Sequence, residues 1–312
     1  MNHAVHQQAP PDAAVREPVA TRTTIVIATR NRVTELMTTL RHHRQRSPES
    51  PVIVVDNAST DGTAAAVRHR FPEVRLLRAR RNMGATARNL GVLCARTPYI
   101  AFSDDDSWWA AGSLGRAEAI LDDHPRLALI AARPLVGPEN RPDPITELMA
   151  HSPLRSDRPL PGPAVLGFMA CAAVVRREAF LGVGGFHPLL FFVAEERLLS
   201  YDLAAAGWSL AYVDTVITHH HPSGQRPGSR QRHSVERRNL ALIAWMRRPW
   251  REAFAETRAL LRESPRSSTA LRALGGTLRR LPRALARRRA LPAEVERQIA
   301  TLRTAPDNDT AG

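Results

Sequence analysis

Short apolar runs alternate with amphipathic segments over the first third of the chain. The runs are rich in β-branched residues and end in polar ones, as buried strands do, and they cover residues 25–27, 52–55, 74–79 and 99–103. The segments between them place apolar residues at helical spacing, over 33–45, 63–70 and 84–96. Strands that alternate with helices predict an α/β fold with a mostly parallel central sheet. Ligands of such sheets bind beyond the carboxyl ends of the strands.

The pattern changes beyond residue 223. Up to that point it predicts helices over 113–124 and 194–208 and buried strands over 127–136 and 167–180. After it, we expect helices with arginine-rich faces that break at four prolines: Pro249, Pro265, Pro282 and Pro292. The sequence thus divides into three parts: a polar, disordered segment (1–21), an α/β domain (22–223) and a basic helical C-terminal extension (224–312).

Residue usage excludes several classes of protein. All 44 basic residues are arginine, so a Walker-A loop, a pyridoxal Schiff base and a kinase lysine are absent. Cys94 and Cys171 are too few for a disulfide framework, which favours a reducing compartment. We find no export signal and no apolar stretch of about 18 residues, and therefore expect a cytoplasmic protein.

The stretch FSDDDSWW (102–109) places three carboxylates at the end of a predicted strand. Adjacent carboxylates repel one another unless they are exposed, protonated or neutralised by a cation. In a continuing strand, Asp104 and Asp106 would point one way and Asp105 the other. Such an Asp-x-Asp pair suits Mg²⁺ or Mn²⁺, which take one or two carboxylates together with substrate phosphates. The alternative is a solvated acidic turn, but the polar loop that begins at Asp56 lies at the same edge and favours the metal.

Six segments occur in the order and spacing of the family 2 glycosyltransferases with the GT-A fold: VIATRNR, VVDNASTDGT, RNMGATARNLGV, FSDDDSWW, GGF and AEERLLSYDLAAAGW. The resemblance covers residues 22–223 and implies a Rossmann-like GT-A domain. It also implies an enzyme that uses a divalent cation and transfers a sugar from a nucleotide diphosphate sugar to an acceptor hydroxyl, mostly with inversion. Such chemistry needs a cation to offset charge on the leaving diphosphate and a base to take the acceptor proton.

The resemblance also assigns roles to single residues. It implies that six residues border the nucleotide: Thr29, Arg30, Asn31, Asp56, Arg88 and Asp104. Asp106 is implied as the direct metal ligand, with Asp104 toward the ribose or the metal. Where the family usually shows Glu-Asp, this chain has Glu195 and Glu196. Glu196 aligns with the presumed base, and the choice between the two stays open. Their structural alternative is an acidic first turn that complements the helix dipole.

Three further groups of residues have a functional and a structural interpretation. In the family, a histidine after the base helix often lies near the diphosphate or the metal, so that His219 or His221 becomes a candidate ligand. Trp108 and Trp109 either stack on a sugar or belong to the core. Three arginines either clamp an anionic group or line a solvated loop: Arg226, Arg230 and Arg232.

The C-terminal extension carries most of the charge. From Arg226 onward there are 20 arginines and 8 acidic residues, so +12 of the formal +14 lies there. Apolar residues at helical spacing beside arginines suggest a helix that lies on an anionic membrane. The protein would then be peripheral at the inner face of the membrane. The alternative is a helical appendage that packs on the core. The acceptor is not predicted. The rival functions are a catalytically inactive sugar-nucleotide-binding homologue, a sugar nucleotidyltransferase and a nucleic-acid-binding protein. No nucleic-acid-binding motif is present, and we expect no nucleic acid partner.

Overall fold

The computed structural model describes residues 21–222 and 229–304. The predicted disorder of residues 1–21 and the role of Arg226 therefore lie almost wholly outside the described residues. In the described parts the strands are β1 (Thr23–Thr29), β2 (Val52–Asp56), β3 (Arg75–Arg78), β4 (Tyr99–Ser103), β5 (Ser107–Trp109), β6 (Leu127–Val136), β7 (Arg141–Pro142), β8 (Ala173–Arg176) and β9 (Ser209–His220). The helices are α1 (Val33–Arg46), α2 (Thr63–Arg70), α3 (Ala87–Cys94), α4 (Ser113–Asp123), α5 (Ile145–Ala150), α6 (Arg177–Gly182), α7 (Glu195–Ala205), α8 (Ser229–Arg247), α9 (Trp250–Glu263), α10 (Ser268–Leu285) and α11 (Ala293–Thr304).

The strands form one sheet in the order β3-β2-β1-β4-β8-β6-β9-β5, with β7 paired to β6. The first four strands of this order are parallel, as predicted. Beyond them, β8 is antiparallel to β4 and β6, while β9 runs parallel to β6 and antiparallel to β5. The predicted α/β fold is confirmed, and its parallel half brings the loops after β1, β2 and β4 to one edge.

Apolar side chains alternate between the two faces of the sheet, because successive residues of a strand point to opposite sides. Val26 packs in the cluster that includes residues of α3, α6 and α7. Ile25 and Ile27 pack in the cluster on the other face, with residues of α1, α2 and α4. Both faces are thus covered, which explains the continuous apolar runs in the sequence.

The C-terminal helices share a hydrophobic cluster with the α/β part of the chain. Leu198 and Tyr201 of α7 are buried with Leu242 and Trp245 of α8 and Ile299 of α11. No helix in the described stretches is both long enough and apolar enough to span a bilayer.

Two local predictions were wrong. Pro282 does not break its helix but lies inside α10, because the loss of one donor near the helix end is offset by packing of Leu281 and Ala284 in the core. The predicted strand over 167–180 is a strand only at β8; a 3-10 turn (Ala170–Ala172) precedes it and α6 follows it. Short apolar runs have no periodicity that separates these conformations.

Candidate active site

The three aspartates form a turn between β4 and β5. The strand ends at Ser103, and the amide N–H of Asp104 donates to Ser107 Oγ at 2.8 Å. The alternation expected of a continuing strand therefore does not apply. Asp105 and Asp106 both reach one arginine, Arg32, while Asp104 pairs with another.

Arg32 lies in the loop after β1 and connects that loop to two of the acids. Its Nε lies 3.3 Å from Asp105 Oδ1, and a terminal nitrogen lies 3.1 Å from Asp106 Oδ2. The Thr29 hydroxyl donates to Asp105 Oδ2 at 2.9 Å. Burial and the neighbouring Asp104 raise the pKa of Asp105 to about 7, although Arg32 opposes the shift. Asp105 therefore helps to hold the turn in place, and the pKa of its carboxyl group lies near neutrality.

The loops after β1 and β2 are tied together at the same edge. Asp56 is fully buried; its Oδ1 accepts from the Ser59 amide at 2.8 Å and its Oδ2 from Arg78 Nε at 3.3 Å. Asn31 donates its amide N–H to Ser59 Oγ at 3.0 Å and accepts from the Thr60 amide at 2.8 Å. Its φ of 54° lies in the left-handed region, which asparagine tolerates. The structure thus places these predicted residues side by side, with Asp56 holding its loop in shape.

Of the three consecutive histidines, His220 is the one whose ring reaches the acids. Its Nε2 lies 3.5 Å from Asp106 Oδ1, and its buried Nδ1 has no hydrogen-bond partner in the described part of the chain. His221 donates its backbone N–H to the Asp106 carbonyl at 2.8 Å. His219 instead shares a hydrogen bond of 2.7 Å with Asn140.

The donor atoms of the turn fit a divalent cation that arrives with a substrate. Within the described residues, no three side chains of His, Cys, Asp or Glu form a group that could hold a metal by themselves. Mg²⁺ and Mn²⁺ do not require such a cage, because they usually take one or two carboxylates and complete their shell with phosphates and water. Two aspartates of the turn, Asp106 and Asp104, supply oxygens of that kind, and the side chain of Asp104 is 34% exposed.

Arg88 connects the aspartate turn with the two glutamates. Its side chain is buried, is ion-paired with Asp104 and lies 5.8 Å from the Phe186 ring. Burial disfavours its charge, but the fields of Asp104, Glu195 and Glu196 outweigh that effect and raise the pKa of Arg88. A single buried cation is thus ion-paired with Asp104 and lies within the electrostatic field of Glu195 and Glu196.

Glu195 and Glu196 begin α7 and differ in exposure. Glu195 is 2% exposed, and its Oε2 is buried without a hydrogen-bond partner among the described residues. Burial, with the repulsion of Glu196, raises the pKa of Glu195 to about 8. Glu196 is half-buried, and burial also raises its pKa. Glu196 is therefore the member of the pair that solvent and an acceptor reach more readily.

An asparagine of the C-terminal extension holds the loop that leads into these glutamates. Asn239 of α8 is fully buried, and its Nδ2 lies 2.9, 2.8 and 2.6 Å from the carbonyl oxygens of Leu190, Phe192 and Val193. Phe191 and Val193 have φ values of 66° and 68°, which non-glycine residues rarely adopt. The loop is thus a strained segment that a distant side chain stabilises.

Comparison with known proteins agrees with this geometry. The family model described as "Glycosyl transferase family 2" matches residues 24–183, about half of the chain. The chain belongs to this family. The glycosyltransferase is 31% identical over 216 residues to the N-acetylglucosaminyl-diphospho-decaprenol L-rhamnosyltransferase of Mycobacterium tuberculosis, a match that covers 57% of this chain and 69% of that protein.

Solved structures show the same GT-A fold. The mannosyltransferase PcManGT from Pyrobaculum calidifontis, in complex with GDP-Man and Mn²⁺, superposes with a TM-score of 0.56 at 19% identity, covering 91% of this chain and 75% of that one. S. aureus TarS 1-349 in complex with UDP-GlcNAc gives a TM-score of 0.54 at 15% identity, covering 86% of this chain and 84% of that one.

The two tryptophans of the glycosyltransferase have different surroundings. Trp109 is fully buried in the core, and Trp108 is 5% exposed and stacks on His42 with ring centroids 3.8 Å apart. Trp108 also lines a cavity of about 460 Å³ beside Asp106, which His42, His219 and other residues border. Neither Glu195 nor Glu196 lines this cavity.

Some predicted residues stay apart from the cluster, and some members of it were missed. Arg30 is exposed, and Arg230 and Arg232 lie on α8, where Arg232 is 5.7 Å from the Phe192 ring. Three residues of the cluster and its support were not predicted from the sequence: Arg32, His220 and Asn239. Arg32 follows the predicted loop residues directly, so its position was a usable signal. No local signal marks Asn239.

Proposed function

We propose that this family 2 glycosyltransferase transfers a sugar, with inversion, from a nucleoside diphosphate sugar to a hydroxyl of a lipid-linked acceptor. The observation that carries the proposal is the buried Arg88, which is ion-paired with Asp104 and whose pKa is raised by the charges of Glu195 and Glu196 as well. Donor and base sites of a glycosyl transfer must be neighbours, because the acceptor attacks the carbon that the diphosphate leaves. The acceptor class follows the name of the mycobacterial relative.

The chain's own residues divide into a donor side and an acceptor side. On the donor side, the loops that contain Asn31 and Asp56 border the nucleotide, and Arg32 holds Asp105 and Asp106 in place. Asp106 and Asp104 would hold a divalent cation, which supplies Lewis-acid stabilisation of the charge on the leaving diphosphate. The complexes of PcManGT with GDP-Man and Mn²⁺ and of TarS with UDP-GlcNAc support a nucleotide sugar donor.

On the acceptor side, we assign Glu196 as the general base. A base is most effective when its pKa lies near the working pH, and burial raises the pKa of Glu196 toward that range. Glu195, which is closed off from solvent, retains a proton near neutrality. Arg88 stabilises the negative charge of the pair before the proton moves.

Calorimetric titration tests the donor site. Nucleoside diphosphates and their sugars are titrated with Mn²⁺ and with chelator into the wild type, Asp106→Ala and the control Asp123→Ala, which removes an exposed aspartate of α4. We expect one nucleotide class to bind only with Mn²⁺, and to be lost in Asp106→Ala alone. Equal binding by the two variants would refute the donor site.

A transfer assay tests the base and separates an enzyme from an inactive homologue. The acceptor tried first is a polyprenyl-diphospho-N-acetylglucosamine, and NMR of the product gives the anomeric configuration. We expect Glu196→Gln to lose about two to four orders of magnitude in kcat with donor binding retained. Donor binding without transfer to any lipid-linked acceptor would instead favour a sugar-nucleotide-binding homologue.

A further inference from the structure

A second cavity, of about 330 Å³, lies between α8 and α10, far along the chain from the aspartate turn. It has a polar, strongly basic lining, which we call the arginine cleft. Its members that matter here are Ser234, Arg238, Arg272, Gly275, Arg279 and Arg280. No acidic residue lines it.

The arginines of the cleft differ from others in the same extension because acidic partners do not neutralise them. Arg237, Arg247 and Arg248 are ion-paired with Glu263, Asp202 and Glu296. In residues 21–222 and 229–304, none of the four cleft arginines forms an ion pair with a carboxylate. The cleft therefore concentrates positive charge that the chain itself leaves uncompensated.

Burial and the neighbouring guanidinium groups both disfavour the charged form of two cleft arginines. Burial, followed by the charges of Arg280 and Arg279, lowers the pKa of Arg238 to about 10. Burial and the charges of Arg279 and Arg283 also lower the pKa of Arg280. An anion among these guanidinium groups would relieve both effects, since an opposite charge favours the protonated form.

Two glycines give the cleft its floor. A Cβ at Gly275 would meet no atom within 4 Å, so the space above it is open. A Cβ at Gly276 would lie 2.7 Å from Arg238 Cδ, so the arginine stem rests directly on the helix backbone. Each glycine costs about 1 kcal/mol relative to alanine in a helix interior. The open floor lets a ligand approach α10 closely.

We propose that the arginine cleft binds a phosphate or diphosphate group. Guanidinium forks match phosphate oxygens in pairs, and four of them provide more donors than one phosphate needs. The cleft also adjoins the loop that leads into Glu195, because Arg238 donates to the Leu190 carbonyl at 3.3 Å. Phe191 and Phe192, which are each 43% exposed, follow Leu190 along the chain.

The source of the phosphate is either a lipid or a water-soluble ion. An assignment to the diphosphate of a lipid-linked acceptor rests on the proposed function. The presence of an anion site does not, because it depends only on charge and space in the cleft. The experiment therefore measures anion binding without any sugar transfer.

Inorganic pyrophosphate is titrated by calorimetry into the full chain in the presence of chelator, which removes any metal from the aspartate turn. The decisive variant is Gly275→Asp, which places a carboxylate in the open space, and its control is Gly275→Ala. Both replace a helical glycine, so neither is expected to unfold α10. We expect the wild type and Gly275→Ala to bind alike and Gly275→Asp to bind at least about tenfold more weakly. Absent saturable binding, or equal binding by all three proteins, would overturn the proposal.

Vesicle flotation then distinguishes the sources. The vesicles contain phosphatidylcholine alone or with phosphatidic acid. The double variant Arg272→Gln/Arg279→Gln is compared with Arg258→Gln/Arg262→Gln, which removes the same charge from α9. Selective loss of phosphatidic acid binding in the cleft variant supports a lipid phosphate; binding of pyrophosphate without vesicle binding supports a soluble one. Equal losses in both double variants, in vesicle and pyrophosphate binding alike, would overturn the cleft as the site. Titration of the donor nucleotide with Mn²⁺ into the same variants reports separately on the aspartate turn.

Discussion

Replacement of Asn239 by alanine is expected to destabilise the protein and to impair catalysis together. The amide of Asn239 has two hydrogens for three carbonyl oxygens at 2.6 to 2.9 Å, so it satisfies about two of them at a time. Its Oδ1 also accepts from the Arg238 guanidinium, at 3.0 Å from Nε and 2.8 Å from a terminal nitrogen. Alanine removes all of these bonds inside a fully buried site.

The magnitude follows from the carbonyls left behind. Each buried carbonyl without a partner costs about 1–3 kcal/mol, so two of them give a loss of about 2–6 kcal/mol in the free energy of unfolding. The strained loop also loses the contact that holds it, since Phe191, Val193 and Ala194 all have φ near +65° and left-handed backbone costs roughly 1–2 kcal/mol per residue. Because Glu195 follows directly, we expect kcat/KM to fall by at least about tenfold.

Urea denaturation and steady-state kinetics measure the two effects. His233→Ala, an exposed position on the same helix, is the control and should change neither. A loss below about 0.5 kcal/mol with unchanged kcat/KM in Asn239→Ala would show that the loop holds its shape without the amide, and the reasoning would be wrong.

Three further predictions concern buried charge and packing. The folded protein keeps a proton on Glu195 up to about pH 8, whereas an ordinary glutamate releases it near pH 4.5, so wild-type stability should fall as pH rises through this window. Glu195→Gln should therefore be more stable than the wild type at pH 8 but not at pH 4. Parallel dependence of urea stability on pH in the two proteins would contradict this. Asp202→Asn should cost about 3–5 kcal/mol in chemical denaturation, because it leaves Arg247, whose side chain is 3% exposed, without its counter-charge; an unchanged midpoint would show that the pair is solvated. Gly91→Ala should lower the free energy of unfolding by about 1–3 kcal/mol, because the added Cβ would lie 2.4 Å from Val26 Cγ1. The double variant Gly91→Ala/Val26→Ala should recover part of this stability. No recovery would show that Val26 is not the source of the clash.

The sequence predicted the parallel half of the sheet because that half repeats one local pattern. Runs such as 52–55 are continuous and apolar, and each is followed by a helix, so local periodicity was enough to place the polar loops at one edge. The strand over 167–180 failed because burial in a turn and burial in a strand select the same apolar residues. The continuation of α10 through Pro282 depends on tertiary packing, which no window of sequence contains.

Within the site, the residue types were predictable but their partners were not. Which of three adjacent histidines reaches Asp106 depends on the register of β9 against β5, where His220 pairs with Ser107. The strand alternation expected for the aspartates failed because the chain turns at Asp104, which makes Arg32 a shared partner of the next two. Asn239 acts across a long separation in sequence, and only the packing of α8 on the loop reveals it.

The hydrophobic cluster that α7 shares with α8 and α11 has a consequence for how such chains diverge. The helix that begins with the glutamates is supported by residues that lie outside the stretch matched by the family model. Exchange of the C-terminal helices with those of a relative would therefore also replace the residues that pack against α7. The two parts therefore have to change in step, and substitutions within the existing helices disturb this shared cluster less than an exchange of whole segments does.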